Sequence, residues 1–493
     1  MALIVNTNEQ NIVLYPTREL HGRQQIFVKP DTITSANVID VLNECLSVHA
    51  QNRADEEYLY NYLRGKQPIL DRVKAANAEI LNKIVVNRAN EIVTFKTANF
   101  IGEPLQYVSR GSKKSVPRKI EKLNSMMLSE GKTSKDMDLA YWMFTYGVAY
   151  RLVLNDKAIR LANGDLYDEA PFEVYTLDSR NTFVARSNDV MRRPVMGVTY
   201  VYLDKDSVEY TVYTQDSAFV IRGTPQRGEK IVGEPTVHNF GYIPIIEYPC
   251  NALRMGAFEV VIDLLNAINL TESNRLDGVE QFIQALMIFK GVDISRENFL
   301  KLKDLGAIVL PPAMDGRAAP DVDYLCEQLD QGQTQTLVDA LYQEVLQIVG
   351  MPSQGNGNTA DSSNNGAVIM KNGWWGAESR AKETIGMWTE AETNFLKIIL
   401  KICRDANVLD LKVSDIELKF GRSSYEDLIT KTQAFSTLIA ANCPPIQAFT
   451  LSHLTVDPES AAIMYEQYQD QAADELSVPS RNVVSEDEPV ISE

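Results

Sequence analysis

The 493-residue chain has no excess of positive charge. Its 48 Lys and Arg face 66 Asp and Glu, a formal net charge of −18. Proteins that grip nucleic acid neutralise phosphates with a basic face, so the chain as a whole is excluded from tight backbone binding. Cysteine is scarce. Cys45, Cys250, Cys326, Cys403 and Cys443 are far apart, odd in number and form no C-x-x-C pair, which excludes a disulfide scaffold and indicates buried thiols in a reducing compartment. Histidine is scarcer still. His21, His49, His238 and His453 show no H-E-x-x-H spacing; a zinc site has no support, and each is expected at the surface or at a cap. G-x-x-x-x-G-K-[ST] and G-x-S-x-G are both missing, and Gly355 with Gly357 is a dinucleotide fingerprint without its third glycine and behind a helix rather than a strand. The N-terminus lacks the basic region and apolar run of a signal peptide. The most apolar window, Leu139–Leu154, is short and broken by Gly147 and Arg151, so it reads as a core helix leading into a strand rather than a membrane span.

Carboxylates are plentiful, among them Asp277, Glu280, Asp321 and Asp323. In an acidic chain such pairs are weak grounds for acid–base chemistry. Asp321 and Asp323 alternate with Val322 and Tyr324, the pattern of a half-exposed strand. The residues therefore argue against an enzyme, and call for no cofactor and no metal.

What the chain does have is hydrophobic residues at 45%, enough for a core, and a change of period part-way along. After an extended arm over Met1–Pro30, Thr34–His49 reads as a helix with Val38, Val41, Leu42 and Cys45 on one face and Thr34 or Ser35 as its cap. A second helix spans Arg53–Leu63. Ile84–Val108 reads as a helix stopped by Gly102-Glu103-Pro104 before a short strand, and Pro117–Ser129 and Ser134–Tyr146 as two more. The basic turn Gly111–Pro117 is expected to be a solvated loop. From Ala149 the period becomes two. Strands are expected at Tyr150–Leu154, Phe172–Leu177, Thr182–Arg186, Val195–Leu203, Val208–Thr214 and Ala218–Arg222, with turns at Asn163-Gly164 and Asp204-Lys205-Asp206. His238–Pro249, with Pro244 and Pro249, is expected to be an extended connector. The first half is thus α+β.

The second half is organised around Ala252–Arg404. Leu253, Val260, Val261, Leu264, Leu265 and Ile268 form one helical stripe within Leu253–Leu276, and Leu337, Leu341, Val345 and Ile348 another within Gln333–Val349. Between them lies a compact insert, Asp277–Asp330, with a short helix near Ser295–Leu302 and strands at Ala307–Pro312 and Asp321–Leu329. After Met351-Pro352 comes a loop, Pro352–Gly366, with one acid (Asp361) and no base. About fifteen polar residues between two helices is unusual inside a compact domain and points to a role. Ala367–Arg404 reads as a long helix carrying Trp374, Trp375, Trp388, Ala391, Phe395, Ile398, Ile399 and Ile402. The two leading tryptophans are packing anchors rather than a base-stacking platform. Gly373, Gly376 and Gly386 should mark kinks or close crossings. Helices at Tyr425–Ala440, Ile446–Leu454 and Pro458–Gln469 precede an acidic tail, Ala472–Glu493, expected to be disordered. No internal repeat occurs.

This order of parts resembles the portal proteins of tailed double-stranded DNA bacteriophages, of the type found in siphophages. The residues that carry the resemblance are YLYNYLRGKQPILDR (Tyr58–Arg72), NKIVVNRANEIVTFKTANFIGEPLQY (Asn82–Tyr107), HNFGYIPIIEYP (His238–Pro249), GAIVLPP (Gly306–Pro312) with DVDYL (Asp321–Leu325), and the Gly/Asn/Ser loop before a long helix. They span roughly Val38–Gln469.

The resemblance implies a portal fold: an α+β wing over 1–251, a stem helix over 252–276, a small α/β clip over 277–330 and a second stem helix over 331–350. It further implies a tunnel loop over 351–366, a long kinked wing helix and return over 367–420, an α-helical crown over 421–470 and a tail over 471–493. It implies a homo-oligomeric ring, usually of twelve, at one capsid vertex, through which double-stranded DNA is packaged and ejected. The partners implied are the terminase large subunit, the head–tail connector, the major capsid protein and scaffold, with no membrane. Residues placed in the tunnel loop are Ser353, Gln354, Asn356, Asn358, Thr359, Asp361, Ser362, Ser363, Asn364 and Asn365. Those placed on the clip's docking surface are Leu310, Pro311, Arg317, Asp321 and Asp323. The absence of a base departs from family members that put a lysine near the DNA. Twelve copies would carry near −216 formal charges, so the duplex would be held off the wall and free to slide. Two other classes fit the residues without the resemblance: a hydrolase with a helical stalk, and a monomeric structural adaptor or scaffold.

Overall fold

The computed structural model describes residues 20–29, 32–74, 79–110, 116–155, 170–283, 286–290, 321–325, 331–352, 374–420, 428–455 and 458–477. Helices dominate its two ends, and strands its middle, as the change of period predicts. The first helix, α1, runs unbroken over Val38–Leu63 where the sequence suggested two. Its two halves bury different faces. Val38, Leu42, Cys45 and Leu46 enter one core, and Leu59, Tyr62 and Leu63 another; a helix spanning two cores loses the single stripe that periodicity detects. Neither Thr34 nor Ser35 caps it. Asn37 holds the cap position, and its side chain accepts the Thr34 amide instead, at 2.8 Å.

Helix α2, Arg88–Ile101, is capped by Asn87, which accepts the Asn90 amide. It begins four residues later than the pattern indicated, leaving Ile84 in an extended segment. After β2 (Leu105–Ser109) come α3 (Val116–Ser129) and α4 (Lys132–Tyr146). Gly147 then reverses the chain in a left-handed conformation, and a Cβ there would lie 2.2 Å from the Arg254 carbonyl oxygen, so only glycine fits.

The strand region forms two sheets. One contains β1 (Ile26–Val28), β5 (Thr182–Ser187), β6 (Pro194–Tyr202), β7 (Val208–Tyr213), β8 (Ser217–Thr224) and β10 (Thr236–Val237) in that order, with β9 (Arg227–Ile231) also on β8. All its pairings are antiparallel except β1 with β5. The arm thus contributes a strand, and α1 covers this sheet's buried face. The other sheet is β11–β3–β4, where β3 is Val148–Asn155, β4 Phe172–Leu177 and β11 Ile245–Pro249. The expected connector is therefore partly a strand: Ile245–Pro249 pairs along β3 from Leu152 to Val148. Its prolines do not prevent this, because they flank or end the strand. The turn at Asn163-Gly164 lies outside the described residues; that at Asp204-Lys205-Asp206 joins β6 to β7.

A single helical turn, Glu259–Val261, leads into α5, Ile262–Ile283. Leu253 and Val260 do not join its buried stripe; they are 68% and 53% exposed. Strands β12 (Leu286–Lys290) and β13 (Asp321–Leu325) pair antiparallel, and α6, Gln331–Val349, returns. The long helix α7, Trp374–Asp405, runs through Gly376 and Gly386, and a Cβ at either would meet open space. Those glycines mark no close crossing. Trp388, Phe395, Ile399 and Cys403 on α7 sit at the centre of the main core. Strand β14 (Ile416–Phe420) pairs with β2, and α8 (Leu428–Ala440), α9 (Pro445–Ser452) and α10 (Pro458–Ser477) complete the described chain. The last helix reaches six residues into the expected tail, to Ser477.

Candidate functional site

The stem candidate is the antiparallel pair α5 and α6. Arg275 donates to the Gln335 side chain at 2.6 Å near the far end, while Val260, Ile348 and Val349 share one cavity at the near end. Strands β12 and β13 close the far end, since one follows α5 and the other precedes α6. Leu265, Ile268, Val338, Val345, Leu346 and Val349 are buried between these helices and the main core. The sequence stripe on α6 divides: Val345 is buried, whereas Leu337 and Ile348 are 52% and 41% exposed.

A polar ladder attaches α5 to the extended segment before α2, and sequence reasoning missed it. Asn269, Ser273 and Asp277 lie four residues apart on one helical face. Their side chains accept the backbone amides of Val86 at 2.8 Å, Ile84 at 2.9 Å and Asn82 at 2.7 Å. Four helical residues rise about 6 Å and two extended residues about 6.6 Å, so the spacings match. Burying the extended segment would otherwise leave these donors unsatisfied. Asp277 also meets Arg72 at 2.9 Å and Lys74. Burial works against its charge, but Lys74, the Asn82 donors and Arg72 outweigh it and hold the carboxyl below the usual range. The signal available in the sequence was three polar residues at i, i+4 and i+8 along one line of the helix.

A second buried cluster fixes α7. Glu392 on α7 accepts from Lys132 on α4 at 2.8 Å, Tyr107 on β2 at 2.6 Å and Tyr248 on β11 at 2.8 Å, and meets Arg151 on β3 at 3.4 Å. Lys132 and Arg151 also pair with Asp136. Two cations and two anions balance, and all four are nearly inaccessible. Burial pushes the Glu392 pKa up, yet Lys132 and Arg151 more than reverse this and keep it ionised. The tryptophans at the start of α7 are represented by Trp374, which packs against Phe95 at 6.0 Å.

The C-terminal end of α6 is also built. Gly350 is left-handed, Met351 N donates to Leu346 O at 2.8 Å, and the Arg380 side chain lies over Gly350, closing α6 with a Schellman arrangement. Beside it, a cavity of about 310 Å³ is lined by Lys96, Arg380, Leu253, Val260 and Ile348 among others. Burial, then the neighbouring Arg380, lowers the Lys96 pKa to about 8. A larger cavity, about 790 Å³, lies between the β5–β6 hairpin and α7; Glu247 in its wall pairs with Arg254 at 2.6 Å and Arg186 at 3.4 Å.

The tunnel-loop residues Ser353, Gln354, Asn356, Asn358, Thr359, Asp361, Ser362, Ser363, Asn364 and Asn365, and the clip residues Leu310, Pro311 and Arg317, lie outside the described residues. Asp321 and Asp323 fall in β13, opposite Lys290 and Ile288. Among the described residues, no group of three or more His, Cys, Asp or Glu is placed to hold a metal, and no helix is long and apolar enough to cross a membrane.

Comparison with known proteins gives one family. Residues 42–461 match the model described as phage portal protein, SPP1 Gp6-like. Among solved structures, a chain of "Neck of empty GTA particle computed with C6 symmetry" is similar at 13% identity and a TM-score of 0.39, over 74% of this chain and 90% of that one. No curated protein sequence matches. With the family model covering residues 42–461, from α1 to α10, the chain belongs to the SPP1 Gp6-like family of phage portal proteins.

Proposed function

We propose that copies of this chain close into a ring, twelve by family resemblance, at one vertex of a phage capsid, and that double-stranded DNA passes through it during packaging and ejection. The family match over residues 42–461 carries this reading. The stem supports it: α5 and α6 together hold Asp263, Glu272, Asp277, Glu280, Asp339 and Glu344 against a single base, Arg275. Asp263, Asp339 and Glu344 are exposed. A bore lined by such residues repels phosphates, and a duplex that exchanges few counterions with the wall can slide.

In this reading the segment between α5 and α6, with Leu310, Pro311, Arg317, Asp321 and Asp323, docks the terminase large subunit and later the head–tail connector. The loop residues Ser353–Asn365 touch the DNA transiently and resist back-slip. The terminase supplies the ATP-driven force, and the ring acts as conduit and adaptor rather than as an enzyme. Assembly takes place in the host cytoplasm, against scaffold and major capsid protein. The test is nuclease protection. Capsids assembled with this chain should shelter genome-length DNA once terminase and ATP are added. Equal protection in capsids assembled without it would overturn the proposal.

A further inference from the structure

Lys96 on α2 and Arg380 on α7 meet at the 310 Å³ cavity beside the C-terminal end of α6. Lys96 is half-buried, and both burial and the neighbouring Arg380 disfavour its ammonium form. Neither side chain makes an ion pair or a hydrogen bond among the described residues. One acid, Glu383, lines the same cavity, but its charge acts on the Cys250 thiol, whereas burial, Arg380 and Cys250 are the influences on Lys96. Cys250 is no counter-ion either, because burial pushes its pKa up to about 12 and leaves the thiol neutral. Two adjacent cations without an anion are an unfavourable arrangement, and an anionic ligand relieves it.

Most of the remaining lining is apolar. Leu253, Val260 and Ile348 are large side chains that stay exposed, and they converge on this cavity from three segments: the turn after β11, the single helical turn before α5, and α6. Exposed apolar side chains gathered at one opening mark a contact surface. Thr384 adds a buried hydroxyl whose bond to the Arg380 carbonyl oxygen is long, 3.4 Å. Ligand pockets run from roughly 300 to 1,000 Å³ and are mostly apolar with a few converging polar groups. This cavity has that character and stands at the small end of the range.

We propose that this cavity binds a small organic anion, its phosphate or carboxylate head between Lys96 and Arg380 and its apolar body against Leu253, Val260 and Ile348. Charge complementarity selects the head, and the apolar side chains select a molecule with a body over a bare inorganic ion. The ligand touches α2, α6 and α7 together and so braces the C-terminal end of α6. The site is a property of the single chain and stands apart from the ring reading above.

Isothermal titration calorimetry of the full-length chain with phenyl phosphate tests it, with inorganic phosphate as the head alone and phenol as the body alone. Phenyl phosphate should bind once per chain, at least about tenfold tighter than either control. Lys96→Met and Arg380→Gln should each weaken it at least about tenfold, the loss of one charge-assisted hydrogen bond. Arg380 is exposed, so its replacement keeps the test open if Lys96→Met does not fold. The anion binds the protonated amine. Affinity should therefore be level from pH 7 to about 8, where Lys96 titrates, and fall by up to about tenfold per unit above that. A phosphate monoester holds its second charge throughout this range, and Lys96→Arg should bind without the fall. No saturable heat with phenyl phosphate, equal affinity for either control, or unchanged binding in both variants would overturn the site.

Discussion

At the scale of single residues, the fold is held by buried polar groups that composition hides. His49 was expected at a surface or cap, yet it is buried, 3.2 Å from the Tyr200 hydroxyl and against the Phe183 ring. Burial drives its pKa down to about 3. The folded state therefore binds this proton less readily than the unfolded chain, whose histidine titrates near 6.5. The stabilising contribution is complete above about pH 6.5 and is lost as pH falls toward 3, with a slope of about 1.4 kcal/mol per pH unit. His49→Gln should remove that slope, measured as the difference in urea midpoints between variant and parent from pH 7 to 4. An unchanged slope would show that His49 is not the group responsible. Glu392 sits at the opposite extreme, a charge kept charged by Lys132 and Arg151. Glu392→Gln leaves two buried cations facing one anion and should destabilise the chain by about 3–5 kcal/mol, read from the same denaturation curves. Neither residue was legible in advance. Arg151 was read as an interruption of an apolar window, and nothing in one-dimensional spacing links it to Glu392, 241 positions away.

At the scale of elements, what periodicity can see was seen. Helices α3 and α4, the span of α6 and the strands from β3 to β8 lie where alternation or helical spacing puts them. The misses share a cause. Helix α1 serves two cores, Ile245–Pro249 is a strand because β3 offers it a partner, and the α6 stripe is split between a buried and an exposed arc. Tertiary context decided each of these, and a local pattern does not contain it. The α5 ladder is the element-scale device that ties α5 to residues 82–86. Ser273→Ala removes the acceptor of the part-buried Ile84 amide, which costs about 1 kcal/mol. Hydrogen exchange over residues 82–86 should accelerate in that variant while α7 keeps its protection; unchanged exchange there would mean the ladder does not hold the segment.

At the scale of the whole molecule, the family was legible because its parts occur in order, even though no single motif is catalytic in character. The sites were less so: the loop and clip residues rest on resemblance, and the polar stem on composition. A loop that restrains DNA without shaping the ring can be removed separately. Deleting Asn356–Asn365 should leave ring formation intact and lower the DNA retained in filled capsids; normal filling and retention would exclude the gating role. The central claim is simpler than any of these: the purified chain closes into a ring whose bore admits a B-form duplex without binding it. Electron microscopy of purified particles viewed end-on tests it most directly. The account predicts closed rings with an open centre wide enough for the duplex. Monomers alone, open filaments, or rings with a bore too narrow for B-form DNA would contradict it.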